Sequence, residues 1–164
     1  MQEFTYQLIE NNTFCVSGYQ GDEAHVVIPD RVNGAPVTVL FDKLFRGHSE
    51  IQSVKIPDTV TDLGEFVFDG CMNLRRIELP PQLVCLWGNT FTRCGIEEIT
   101  LPNKLTALPP FAFKECRNLK KVICGAGMRK IHAWAFSGCD HLTEVVHGKN
   151  VEIDPEAFQT HIPS

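Results

Sequence analysis

The sequence predicts a stacked-repeat solenoid of the α/β class, and three observations carry that prediction. Phenylalanines recur at Phe45, Phe68, Phe91, Phe113, Phe136 and Phe158, at intervals of 23, 23, 22, 23 and 22 residues. A fixed period in that range marks a chain built from one repeated supersecondary unit. Apolar residues then fall into columns when the repeats are aligned on those phenylalanines. Finally, 164 residues with 43% hydrophobic and 21% charged content suit a single globular domain with a substantial core.

Residues 1–23 lie outside the period. Phe4, Tyr6 and Leu8 alternate with polar residues, Glu10-Asn11-Asn12-Thr13 is a turn signal, and Phe14 and Val16 resume the alternation. That pattern predicts a β-hairpin. A solenoid needs its first coil covered, so the hairpin is read as an N-terminal cap rather than a partner-binding arm. Residues 24–45 form a degenerate first repeat, with Asn33-Gly34-Ala35-Pro36 as a loop insertion. Five repeats of 22–23 residues occupy 46–158, and 159–164 form the C-terminal end of one domain, 1–164.

Five apolar columns run through the regular coils. They are Ile51, Leu74, Ile96, Leu119, Leu142; then Val54, Ile77, Ile99, Val122, Val145; then Ile56, Leu79, Leu101, Cys124, His147. Val60, Leu83, Leu105, Met128, Val151 and Leu63, Leu86, Leu108, Ile131, Ile153 complete the set. Ile77 and Leu79 are two apart, so both face one side of a strand while Arg76 and Glu78 face the other. Pro80 ends that strand, since it cannot donate to a ladder. Strands are expected near 53–56, 76–79, 98–101, 121–124 and 144–147. A short helical turn is expected over Phe66–Cys71 to close the coil. No unit can bury its apolar side alone; stacking makes the core continuous.

The phrase F-x-G-C-x-x-L-x-x-I-x-I-P-x-x-V-x-x-I resembles the BspA-like branch of the leucine-rich repeats. Phe68-Asp-Gly-Cys71, Leu74, Ile77, Leu79-Pro80, Leu83 and Leu86 match it, and Val16-Ser-Gly-Tyr19 and Val27-Ile-Pro29 resemble the family's lead-in. The resemblance covers roughly residues 14 to 161. It implies a right-handed leucine-rich-repeat solenoid with a parallel β-sheet on its concave side, a binding role often at a bacterial surface or towards a host, and no shared catalytic residues. Cys124-Gly125 and His147-Gly148 depart from the aliphatic-Pro of other coils.

Charge and hydropathy narrow the function classes. A net charge of −5 argues against nucleic acid, which usually wants a basic face. No stretch approaches the roughly 18 apolar residues of a membrane span. MQEFTYQLIE has no basic n-region and no apolar h-region, so a cytoplasmic chain is expected unless it is part of a longer exported protein. Seven cysteines without a signal peptide favour free thiols in a reducing compartment.

Four constellations invite sharper readings. His48, Cys71, Cys94, Cys116, Cys139 and His161 share the column three residues after each phenylalanine. Zinc needs four converging ligands, whereas a column spreads its members one per coil, so buried thiols without metal are expected. Cys124 and His147 are neighbours on adjacent coils, but no orienting acid or oxyanion loop accompanies them, so no catalytic residue and no cofactor is assigned. Phe66, Phe111 and Trp134, with Trp87 nearby, are read as wedges between coils rather than a convex binding platform.

The fourth constellation faces outward from the strands, where Ser53, Arg76, Glu98, Lys121 and Glu144 form one column and Lys55, Glu78, Thr100, Ile123 and Val146 the next. The second turns apolar toward the C-terminus, like a small interface core with a polar rim. Arg76, Glu78, Glu98, Thr100, Lys121, Ile123, Glu144 and Val146 are the candidate site for a protein or peptide partner. The alternative is an assembly unit that associates weakly through the open sheet edge at His161-Ile162-Pro163-Ser164.

Overall fold

The computed structural model describes residues 2–160, and its architecture is a parallel β-solenoid of about six turns. The chain opens with β1 (Glu3–Ile9) and β2 (Thr13–Gln20), which pair antiparallel through a short 3-10 turn at Glu10–Asn12. β3 (His25–Val27), β4 (Arg31–Val32) and β5 (Ala35–Leu40) make up the irregular first coil. Each later coil contributes at most two very short strands. They are β6 (Ser53–Lys55), β7 (Asp62–Leu63), β8 (Cys85–Leu86), β9 (Glu98–Thr100) and β10 (Ala107–Leu108). β11 (Lys121–Ile123), β12 (Lys130–Ile131), β13 (Glu144–Val146) and β14 (Glu152–Ile153) finish the stack.

These strands line two faces. One carries the pairs β3–β6 and β13–β11–β9; the other carries β1–β2–β5–β7–β8 and, separately, β10–β12–β14. The solenoid pairings are parallel, with β10 to β12 and β11 to β13 in register one coil apart. The five predicted columns fill the interior. Their members are buried from Ile51 to Ile131 except Cys124, which is half-buried; in the last coil Leu142, Val145, Val151 and Ile153 are partly buried and His147 is exposed.

The phenylalanines form a continuous stack. Ring centroids lie 5.7, 5.2, 5.2, 5.7 and 5.3 Å apart from Phe45 to Phe158, with planes between 3° and 22° of parallel. Each buried anchor also donates its backbone N–H to the coil after it: Phe45 to Val67, Phe68 to Thr90, Phe91 to Ala112, Phe113 to Ala135 and Phe136 to Ala157, all at 2.8–3.0 Å.

Three sequence expectations need correction. The α/β class and the helical turn over 66–71 are not realised, because the described residues contain no α-helix. The residue two before the anchor is left-handed at Lys43, Phe66, Asn89, Phe111 and Trp134, and so is the residue two after it at Gly47, Gly70, Arg93, Glu115 and Gly138. Left-handed dihedrals on both sides of the anchor prevent a helix from propagating. The glycine of the F-x-G-C phrase therefore serves a backbone need, which Arg93 and Glu115 meet at higher conformational cost. A strand at 76–79 is also absent. Ile28 donates to Lys55, Leu101 to Ile123 and Cys124 to Val146 at 2.8–3.1 Å, but the matching rungs from Ile56 to Glu78 and from Leu79 to Thr100 do not form.

This break coincides with the shortened coil. Gly95 stands where other coils have two residues, and a Cβ there would fall inside the Met72 carbonyl oxygen. The opposite face breaks nearby for a simpler reason. Gly64 donates to Leu40 and Trp87 to Leu63, but Pro109 occupies the next position and has no N–H to offer Leu86. An ion cluster spans the shortened region. Asp69, 1% exposed, forms an ion pair with Arg46 at 2.9 Å and accepts from Arg93 through both of its carboxylate oxygens at 2.8–3.0 Å.

The cysteine column is a set of free thiols. Cys71, Cys94 and Cys116 are buried, whereas Cys139, also expected to be buried, is half-buried because it lies in the last covered coil. Each thiol has a specific partner. Cys71, Cys116 and Cys139 donate to the carbonyls of Phe45, Phe91 and Phe113 at 3.2, 2.9 and 2.9 Å, and Cys94 to Leu74 at 3.8 Å. A small apolar residue that can still satisfy a buried carbonyl suits this column better than alanine or valine. His161 of the same column, and the expected open edge at 161–164, lie outside the described residues.

Two predictions follow from this packing. Gly95→Ala should destabilise the chain by about 3 kcal/mol, because buried backbone must move. Gly148→Ala, where an added Cβ meets nothing within 4 Å, should stay within about 0.5 kcal/mol of the parent. Equal melting temperatures for the two variants would contradict the close approach at Gly95. The second prediction concerns the thiols. Burial raises the pKa of Cys71 and Cys116, and pushes that of Cys94 up to about 12. At pH 8 a maleimide should therefore label these three only as fast as the chain opens, after Cys85 and Cys139. Since their ordinary value is 9.0, their contribution to stability is complete below pH 9 and is lost as pH rises beyond it. Mass spectrometry of labelled peptides reads the order directly.

Candidate functional site

The three-stranded face of β9, β11 and β13 carries most of the candidate residues. Glu98, Lys121 and Glu144 lie side by side in register, as do Thr100, Ile123 and Val146. The alternation of the strands buries Ile99 and Val122 and turns these residues outward. Glu98, Thr100, Glu144 and Val146 are exposed, and Lys121 and Ile123 are half-buried between neighbouring strands. Val146 is 41% exposed beside Ile123. Lys121 Nζ lies 3.8 Å from a Glu144 carboxylate oxygen, so the charges pair across the rim.

Arg76 and Glu78 are exposed on the unpaired segment rather than on a continuous strand. They line one groove with Glu98 and Thr100 but share no strand pairing with the other six. Among the described residues Arg76 makes no ion pair; the neighbouring column holds the contact, Arg75 to Glu97 at 3.8 Å. Shallow grooves flank the segment. One of about 300 Å³ separates it from β3 and β6, and one of about 780 Å³ separates it from Glu98–Asn103. Periodicity gave no warning of these grooves, because Ile77 and Leu79 keep their core positions although the backbone rungs are missing.

The other constellations resolve structurally. Burial raises the Cys124 pKa, the opposite of an activated thiolate, and His147 is exposed with Nδ1 2.8 Å from the Gly148 carbonyl oxygen. Phe66, Phe111 and Trp134 are half-buried. Phe111 and Trp134 stack at 5.7 Å, Arg46 covers Phe66 at 5.1 Å, and Lys114 covers Phe111 at 5.4 Å. They pack on one another and under basic side chains along the stack, whereas Trp87, read with them, is 52% exposed. Among the described residues no three His, Cys, Asp or Glu side chains converge as metal ligands, and no helix is long and apolar enough to cross a membrane.

The notch at Gly95, about 610 Å³, is lined by Met72, Asn73, Arg93, Glu115, Arg117 and Asn118. Its charges are already engaged: Arg93 holds Asp69, and Arg117 reaches Asp140 at 2.6 Å.

No curated protein matches this chain. Solved structures do resemble it. A leucine-rich repeat protein of T. pallidum is 23% identical, with a TM-score of 0.75 over 92% of this chain and 82% of that one. A leucine-rich repeat protein from Bacteroides ovatus is 28% identical, with a TM-score of 0.69 over 96% of this chain and 49% of that one. A leucine rich cell surface protein from Faecalibacterium prausnitzii is 21% identical, with a TM-score of 0.63 over 87% of this chain and 52% of its own. The chain thus spans about half the length of the last two. Residues 38–162 match the family model for the BspA type leucine rich repeat region in 6 copies, and the chain belongs to that family.

Proposed function

We propose that this chain is a non-catalytic binding module that presents the β9–β11–β13 face to a protein or peptide partner. Leucine-rich repeat proteins generally mediate protein interactions. The observation that carries the reading is the Ile123–Val146 strip, apolar and reachable, set beside the charged row of Glu98, Lys121 and Glu144. Desolvated apolar centres with polar rims are where interfaces concentrate their energy. In this reading the solenoid is right-handed, the strip lies on its concave side, and the β1–β2 hairpin caps the first coil. Packing of Phe4, Tyr6 and Phe14 against the core supports the cap. Arg76, Glu78 and Thr100 extend the contact toward the N-terminal coils. The cell-surface description of the Faecalibacterium protein supports a partner met at a bacterial surface; a host partner is the wider form of the same reading.

A second reading is homo-association through the end of the stack. It is favoured by Phe158, stacked on Phe136 yet 51% exposed. Sedimentation that stays monomeric at high concentration would remove it.

Val146→Asp and Ile123→Asp should each abolish partner capture while shifting stability by less than about 1 kcal/mol, since neither side chain is fully buried. Surface plasmon resonance with partners recovered by cross-linking, together with thermal melts, checks both halves. Retained binding in both variants would remove this face from the interface.

A further inference from the structure

On the opposite face, Phe41, Gly64 and Trp87 occupy equivalent positions in three successive coils, just after β5, β7 and β8. Backbone rungs from Phe41 to Val16, Gly64 to Leu40 and Trp87 to Leu63 hold them in line. The two aromatic residues therefore stand two coil rises apart, roughly 9–10 Å, with no side chain of their own column between them. Both are about half exposed, Phe41 at 48% and Trp87 at 52%. The gap is built in. A Cβ on Gly64 would collide with the Asp42 carboxylate, which accepts from the Glu65 N–H at 2.8 Å. The result is a cleft of about 450 Å³ with Phe41 and Trp87 at its ends and Asp42, Asp62 and Glu65 around it.

No lysine, arginine or histidine lines this cleft. Among the described residues its three carboxylates make no ion pair, whereas Asp69, Glu97, Glu115, Asp140, Glu144 and Glu152 all do. Two aromatic faces and three unneutralised carboxylates favour one chemistry, a cation carried on an apolar stem. We propose that the Phe41–Trp87 slot binds the cationic side chain of a lysine- or arginine-bearing peptide. The aliphatic stem packs between the rings while the ammonium or guanidinium reaches Asp62 and Glu65. This site is separate from the β9–β11–β13 face, and the two stand or fall independently.

The test is an NMR titration of the intact chain with acetyl-Gly-Lys-Gly-amide, its norleucine counterpart and cellohexaose. The lysine peptide should shift the Trp87 indole N–H and the Gly64 and Glu65 amides. It should bind at least about tenfold more tightly than the norleucine peptide and weaken as salt is raised. Asp62→Asn and Glu65→Gln should each weaken it severalfold. Trp87→Leu and Phe41→Leu, which keep apolar bulk without an aromatic face, should weaken it about five- to tenfold. Val146→Asp should leave the titration unchanged. Equal binding of the norleucine peptide, saturation by cellohexaose in place of the lysine peptide, or no shift up to roughly 10 mM would overturn the proposal.

Discussion

The structure depends on the ring-over-ring contact between phenylalanines of successive coils and on the anchor N–H ladder that travels with it. The strands are two or three residues long after the first coil, far shorter than an independently stable sheet requires. Burying one phenylalanine side chain is worth about 1.5–3 kcal/mol, and an aligned aromatic pair about 0.5–1.5 kcal/mol more. Repeated along the axis, this is the interaction that persists where the sheets do not. Between Phe68 and Phe113 both faces lose backbone rungs, yet the ring spacing stays at 5.2 Å.

That hierarchy explains what was legible in the sequence. Burial columns are written as periodic apolar residues, so Ile51 through Ile131 could be placed inside the solenoid from spacing alone. Backbone pairing leaves a weaker trace. The 76–79 segment has the alternation of its neighbours and the same buried pair, and still lacks its rungs. The second strand of each coil, at Asp62–Leu63 for example, is too short to produce an alternation. Pro109 could have signalled the break beside β8, because a missing donor is visible in the sequence. The left-handed pairs around each anchor were partly visible through Gly47, Gly70 and Gly138, and hidden where Phe66, Trp134, Arg93 and Glu115 adopt the same dihedrals.

The candidate site was legible to a different degree. Alternation placed Glu98, Lys121, Ile123, Glu144 and Val146 outward, and the register of β9, β11 and β13 aligns them. It could not show that Arg76 and Glu78 lack strand pairing, a break that coincides with Gly95 and the close approach it permits. Nor could it reveal Asp69 as a buried carboxylate bridging Arg46 and Arg93 across three coils. Arg46 and Asp69 share one repeat position, just after the anchor, but Arg93 stands one position further on, and period alone does not mark the carboxylate as buried.

A solenoid separates positions that hold the frame from positions free to vary, and this separation indicates where specificity can reside. The anchor column is phenylalanine throughout, because any other residue interrupts the stack. Four residues earlier the column reads Phe41, Gly64, Trp87, Pro109, His132, with the backbone held in nearly the same place each time. Outward positions can change without a cost in core packing, and removing a side chain there, as at Gly64, creates a recess. Distinct recognition surfaces on the two faces are then compatible with one fold, since neither draws on the residues that stabilise it. Departures from the repeat in exposed columns are accordingly the more informative guide to what such a chain binds. The regular columns report only that it stacks.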